Sequence, residues 1–136
     1  MNLTVAFRAG GDVAPCRFVT LAASAFTIQA ATANQPPIGV SFSGTREAPV
    51  PSASPLLAMA GEGCPIWGPG ETALLELGGT VTTGALLKSD ASGKGVAIAS
   101  SGSDLQRYGA VALEPGAAGE RIRVLIQPGA LRPALA

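Results

Sequence analysis

Residues 120–129 read ERIRVLIQPG. Ile122, Val124 and Ile126 alternate with Arg121, Arg123 and Leu125. Successive side chains of a strand point to opposite faces, so this is a strand with one buried face and two arginines turned toward water or a partner. Pro128 and Gly129 should end it, because proline has no amide to give to a ladder. Outward from this stretch the same punctuation recurs: 18 glycines and 11 prolines cut the chain into short aliphatic or β-branched runs. Almost none carries the i, i+3, i+4, i+7 stripe of a helix. Short runs between turn signals predict an all-β fold, a small β-barrel or sandwich-like module. The predicted strands are 2–8, 17–21, 25–30, 38–42, 72–77, 84–88, 95–99, 108–113 and 121–127.

The chain has 136 residues, a length that suggests one domain spanning 1–136. A domain of this size buries roughly 68% of its unfolded surface and needs no metal or disulfide to fold. Apolar residues make up 47% and charged residues 13%, against about 25% charged in ordinary globular chains. Disorder of the whole chain is excluded by that balance. Nine basic and nine acidic residues cancel, which leaves no electrostatic footprint for nucleic acid or an anionic membrane. A net charge near zero promotes association, so part of the surface is expected to be covered in the working state. There is no run of 18 apolar residues and no leader-like N-terminus, so synthesis in the cytoplasm is expected.

The parts of a catalytic centre are missing. There is no histidine, which removes Ser-His-Asp and Cys-His catalysis and imidazole metal sites. The nine acids are scattered, with no spacing that pairs them. Cys16 and Cys64 match no metal or redox spacing; two buried thiols are the simpler reading and a single disulfide the alternative. Ser92–Gly95, SGKG, resembles the end of a phosphate loop, but position 88 is lysine and position 95 is glycine where that loop needs glycine and Ser or Thr. A strand pattern follows it, where a phosphate loop needs a helix. No enzyme activity, cofactor or metal is expected.

Residues 78–98, GGTVTTGALLKSDASGKGVAI, carry two lysines around a turn. Biotinyl and lipoyl carrier domains present one lysine at a hairpin tip, and such a carrier is the alternative reading. The turn, however, should be Asp90-Ala91-Ser92-Gly93, since aspartate initiates turns and glycine tolerates positive φ. Lys88 then closes one strand and Lys94 opens the next, where both keep strand ends solvated. The stretch reads as a scaffold hairpin.

Three segments read as arms or loops. The opening run sets Leu3, Val5 and Phe7 against Asn2, Thr4 and Arg8, and residues 1–9 are a candidate N-terminal arm. Residues 45–58 hold Pro49, Pro51 and Pro55 and should form an extended surface loop. The tail 129–136, GALRPALA, is either a frayed end or an arm laid on a neighbour. Trp67 sits before Gly68-Pro69-Gly70; it is either core or an exposed anchor at a loop. Tyr108 opens a strand and is read as a half-buried ring with a wet hydroxyl.

Three runs carry a resemblance to a family: PIGVSFSG (37–44), GETALLELGGTVTTGALLKSDASGKGVAIASSG (70–102) and YGAVALEPGAAGERIRVLIQPG (108–129). Together they resemble the small capsid decoration, or cement, proteins of tailed bacteriophages. The likeness covers about residues 37–129, and GDVAPCRFVTL (11–21) matches the family's early strand more loosely. It implies a β-rich module, often a homotrimer, bound to the outer surface of a phage head and to the major capsid protein. It implies a virion location, no catalytic residues, and no contact with nucleic acid or membrane. A generic oligomeric β domain of another assembly is the further alternative. Exposure and arm logic place the candidate capsid or subunit contacts at Leu3, Val5, Phe7, Trp67, Arg121, Arg123, Leu131 and Arg132.

Overall fold

The computed structural model describes residues 7–33, 35–42, 58, 61–98 and 105–131, the side chain of Leu131 excepted. Among the described residues the fold is all-β, with no helix. The strands are β1 (Arg8–Ala9), β2 (Phe18–Leu21), β3 (Thr27–Ala30), β4 (Gly39–Ser41), β5 (Ile66–Trp67), β6 (Thr72–Glu76), β7 (Leu86–Ser89), β8 (Gly95–Ala97), β9 (Gln106–Ala112) and β10 (Arg121–Leu131).

The first sheet has the order β1-β3-β2-β4-β5. β1 lies parallel to β3, and the other pairs are antiparallel. The sheet then closes on itself. Cys64 N donates to Phe7 O at 2.9 Å, Ala9 N to Glu62 O at 2.8 Å and Gly61 N to Ala9 O at 2.7 Å. Because 61–64 runs straight into β5, these bonds join the two ends of the sheet and make a small barrel. Closure removes the open edges that a five-stranded sheet would otherwise expose. Ala9, Val13, Val19, Ile28, Ala58 and Cys64 fill the interior.

The second sheet, β6-β10-β9-β7-β8, is antiparallel throughout. Its outer strands meet at one end through a parallel bridge between Leu77 and Gly95. The sheet is therefore curled into a half-barrel. Gly95 permits this closure: a Cβ there would stand 2.5 Å from Leu75 Cδ2. Ile122, Val124 and Ile126 are buried in the core of this sheet with Leu75, Leu77 and Leu87, as the alternation in 120–129 predicts.

Phe18 and Val40 join the two sheets into one structure. Both are fully buried, and both belong to the core of the second sheet, although they sit on barrel strands. Their neighbour Val19 faces the barrel interior. β2 and β4 are thus covered on both faces, as strands packed between two layers are. Gly109 on β9 accepts the close approach, since a Cβ would come 2.8 Å from Phe18 Cε1 and 2.5 Å from Pro37 Cγ. The one buried hydroxyl of β4, Ser41, donates to Ala14 O at 2.7 Å and accepts from Arg17 N at 3.0 Å, which offsets its desolvation.

Several expectations need correction. β10 does not stop at Pro128 and Gly129 but runs to Leu131, with a bulge between Ile126 and Gly129. β6 pairs only as far as Leu125, and Glu71 O takes the amide of Ile126. Beyond that point β10 has no β6 partner, so proline's missing amide is not required there. Gly129 stands opposite Tyr108, whose ring occupies the place a side chain at 129 would need. Tyr108 is half-buried, and β9 begins two residues earlier than predicted, at Gln106. β7 covers 86–89 where 84–88 was expected. β5, only two residues long, has too little pattern to be read from sequence. Of the strand predicted at 2–8, only Phe7 and Arg8 are described, and the pairing extends to Ala9. Of the loop at 45–58 only Ala58 is described, bridged to Val13. Residues 132–136 of the tail lie outside the described residues.

Candidate functional site

Several charged side chains answer one another. Glu76, at the end of β6, takes Arg17 Nη2 at 3.1 Å and Lys94 Nζ at 3.4 Å on Oε2, and Arg121 Nε at 3.6 Å on Oε1. Arg17 leads into β2 of the barrel, while Glu76, Lys94 and Arg121 belong to the second sheet. The cluster is thus a polar tie across the seam, reinforced by Glu76 N donating to Cys16 O at 2.8 Å. Sequence reading assigned Arg121 to a partner and missed Glu76 and Arg17, because residues 17, 76, 94 and 121 meet only through sheet packing. Arg123 is exposed but bonded: its Nε donates to Glu114 Oε2 at 2.8 Å, closing the turn before β10. That hydrogen bond holds the Glu114 carboxyl below its ordinary pKa and the guanidinium above its own.

The hairpin turn forms as the sequence predicts. Asp90 Oδ1 accepts Ser92 N at 2.8 Å and Lys94 N at 3.0 Å, and Gly93 takes φ +81°. The lysines do more than solvate strand ends. Lys88 Nζ donates to Gln106 Oε1 at 3.1 Å, and Lys94 pairs with Glu76. Each leans onto the sheet, away from the tip, which is the wrong presentation for a carrier lysine.

Cys16 and Cys64 are free and buried. Burial pushes the Cys64 thiol up to about 11 and raises Cys16 as well, so both stay protonated and poor nucleophiles near neutral pH. Among the described residues no group of three His, Cys, Asp or Glu side chains could hold a metal ion. No helix there is long and apolar enough to cross a membrane.

The concave feature of interest is an apolar groove of about 520 Å³, lined from both the barrel and the second sheet. Phe7, Pro37, Ile38, Ile66, Pro69 and Pro128 line it. Each wall has a local cause. Thr20 Oγ1 donates to Pro36 O at 3.0 Å and pins the 36–37 segment. Gly68-Pro69-Gly70-Glu71 is a turn closed by Glu71 N to Gly68 O at 3.1 Å, with Gly70 at φ +85°. Pro128 is carried by the bulge in β10. Glu71 also lines the groove, but its Oε1 is engaged by Gly68 N at 2.8 Å. A shallower hollow of about 340 Å³ continues past Pro37 and Pro128 to Tyr108 and Arg107. Neither hollow is lined by a cysteine or a pair of acids. Apolar walls with one spent carboxylate suit the seating of an apolar side chain or extended segment.

The sequence-predicted contact residues are dispersed over the fold. Phe7 lines the groove. Trp67 is half-buried on β5, packed on the second-sheet core and against Phe42, ring centroids 4.8 Å apart. Arg121 and Arg123 stand on the exposed face of β10 with the partners named above. Leu131 is the last residue of β10. Leu3, Val5 and Arg132 lie outside the described residues. The groove itself was not foreseen: Pro37, Pro69 and Pro128 come from three distant turns, and only their prolines signalled anything.

No protein-family model matches the chain, and no curated protein matches it. Among solved structures it is similar to the crystal structure of the N base of the head fiber gp8.5 in bacteriophage phi29. The TM-score is 0.51 at 15% sequence identity, over 90% of this chain and 91% of that one. At that identity the likeness is one of fold, and it runs through nearly the whole of both chains.

Proposed function

We propose that the protein is a structural, non-enzymatic component of a tailed-phage head: a decoration protein that binds the major capsid protein on the outer surface and works as a homotrimer. The observation that carries this reading is the fold likeness to a head-fiber base over 90% of the chain. The sequence resemblance to decoration proteins points the same way from independent residues. Three physical features support it. The net charge is zero, the groove is apolar, and among the described residues both thiols are buried and Glu76 is paired. Such a molecule acts by contact. Trimerisation makes the second and third contacts intramolecular, so weak patches add up to firm attachment. Mass spectrometry and cryo-electron microscopy of purified virions test it: the chain should be found on mature heads, and its absence from them refutes the reading.

The likeness to a fiber base supports a second reading, in which the chain seats another component on the head rather than cementing capsomers. Heating separates the two. Heads lacking a cement protein open at lower temperature, whereas heads lacking a fiber base open at the unchanged temperature and lose the seated component.

A further inference from the structure

We infer that Phe26 of one copy seats in the apolar groove of a second copy of this chain. Phe26 lies between β2 and β3 at φ +52°, in the left-handed region, with 64% of its surface exposed. A bulky residue there is an outlier, and such strain gathers at functional positions. The conformation is held in place: Phe26 O accepts Arg8 N at 2.9 Å, and Ala22 N donates to Thr27 O at 2.9 Å. Leu21, beside it on the same hairpin, is 55% exposed. The fold therefore maintains a strained apolar knob in water.

The same bond to Arg8 puts the knob next to the groove, because Phe7 is a groove wall. Phe26 nonetheless stays exposed and does not line its own groove. An exposed ring and an apolar groove on the same chain suit a second copy that receives the one and supplies the other. Charge agrees. From Phe18 to Thr45 the sequence has no ionisable side chain, so the knob's hairpin sets no like charge against Glu71, the carboxylate of the groove. Copies meeting here bring no like charges together. Size agrees as well. The groove lies within the roughly 300–1,000 Å³ of ordinary ligand pockets. One knob is small against the ~800 Å² per partner of a stable interface, but in a ring each copy gives a knob to one neighbour and a groove to the other. Head-to-tail contacts of this kind close rings. This rests on the self-association part of the reading above and is independent of the capsid.

Sedimentation of the purified full chain tests it. The wild type should associate, and Phe26→Gly should weaken each contact about 30-fold or more while keeping the wild-type circular dichroism spectrum, since glycine suits positive φ. Pro69→Glu, an exposed change on the groove lip, should do the same from the other side. Mixing the two variants should restore one contact, the knob of Pro69→Glu in the groove of Phe26→Gly, and yield a species of two chains. A monomeric wild type, or a Phe26→Gly variant that associates as the wild type does, overturns the inference and leaves head attachment to be judged on virions. A wild-type dimer broken by both variants supports the contact and removes the homotrimer.

Discussion

Replacing Glu76 by glutamine keeps the side chain's size and one acceptor but removes the charge that Arg17, Lys94 and Arg121 share. Their side chains are 20%, 33% and 42% exposed, so the three bonds are unequal. Exposed pairs contribute about 0.2–1 kcal/mol, and losing one partner of a fully buried pair costs about 3–5 kcal/mol. Lys94 and Arg121 belong near the lower bound, because each can swing into water. Arg17 cannot: its Nη1 is committed to Ser92 O at 3.1 Å, and its Nε is buried without a hydrogen-bond partner. The expected loss is therefore about 2–3 kcal/mol, dominated by Arg17. That is a substantial share of the roughly 5–15 kcal/mol that holds a domain folded. Urea unfolding of both proteins at low salt and at 1 M salt measures it. Three cations without their anion repel, and at 1 M the Debye length falls to about 3 Å, so salt should narrow the gap. Arg121→Ala, the control, should cost under about 1 kcal/mol. A Glu76→Gln variant within about 0.5 kcal/mol of wild type, or a gap unchanged by salt, refutes the idea that this carboxylate ties the barrel to the half-barrel.

Two further perturbations follow from the geometry. The buried Cys64 thiol ionises at about 11 against an ordinary 9.0, so its stabilising contribution is complete below pH 9 and is lost as the pH rises through about 11; unfolding free energies from pH 8 to 11 should fall less steeply for Cys64→Ala than for wild type, and parallel curves contradict this. Gly129→Val drives a side chain into the Tyr108 ring at the bulge of β10; overpacking of about 1–3 kcal/mol is expected, seen as faster amide exchange in residues 106–108 and 129–131, and wild-type exchange there refutes the proposed contact.

How much of this was legible in the sequence depends on how far apart the interacting residues lie. Alternation at Ile122, Val124 and Ile126 is a local property of an antiparallel strand with one wet face, and it survived intact into the structure. So did the turn at Asp90–Gly93, where aspartate and glycine carry their own geometry. The absence of a helical stripe settled the all-β class for the same reason. Pro128 misled because a proline stops a strand only when its amide is wanted, and whether it is wanted depends on where a distant neighbour, β6, runs out. The ion pair of Arg121 with Glu76 was not legible, because strand pairing alone brings the two together. The barrel's closure, the packing of Phe18 and Val40 on a second sheet and the groove walled by three remote prolines are contacts between segments far apart in the chain. A sequence lays out which faces are apolar. Which apolar face meets which is decided only when the sheets curl and pack.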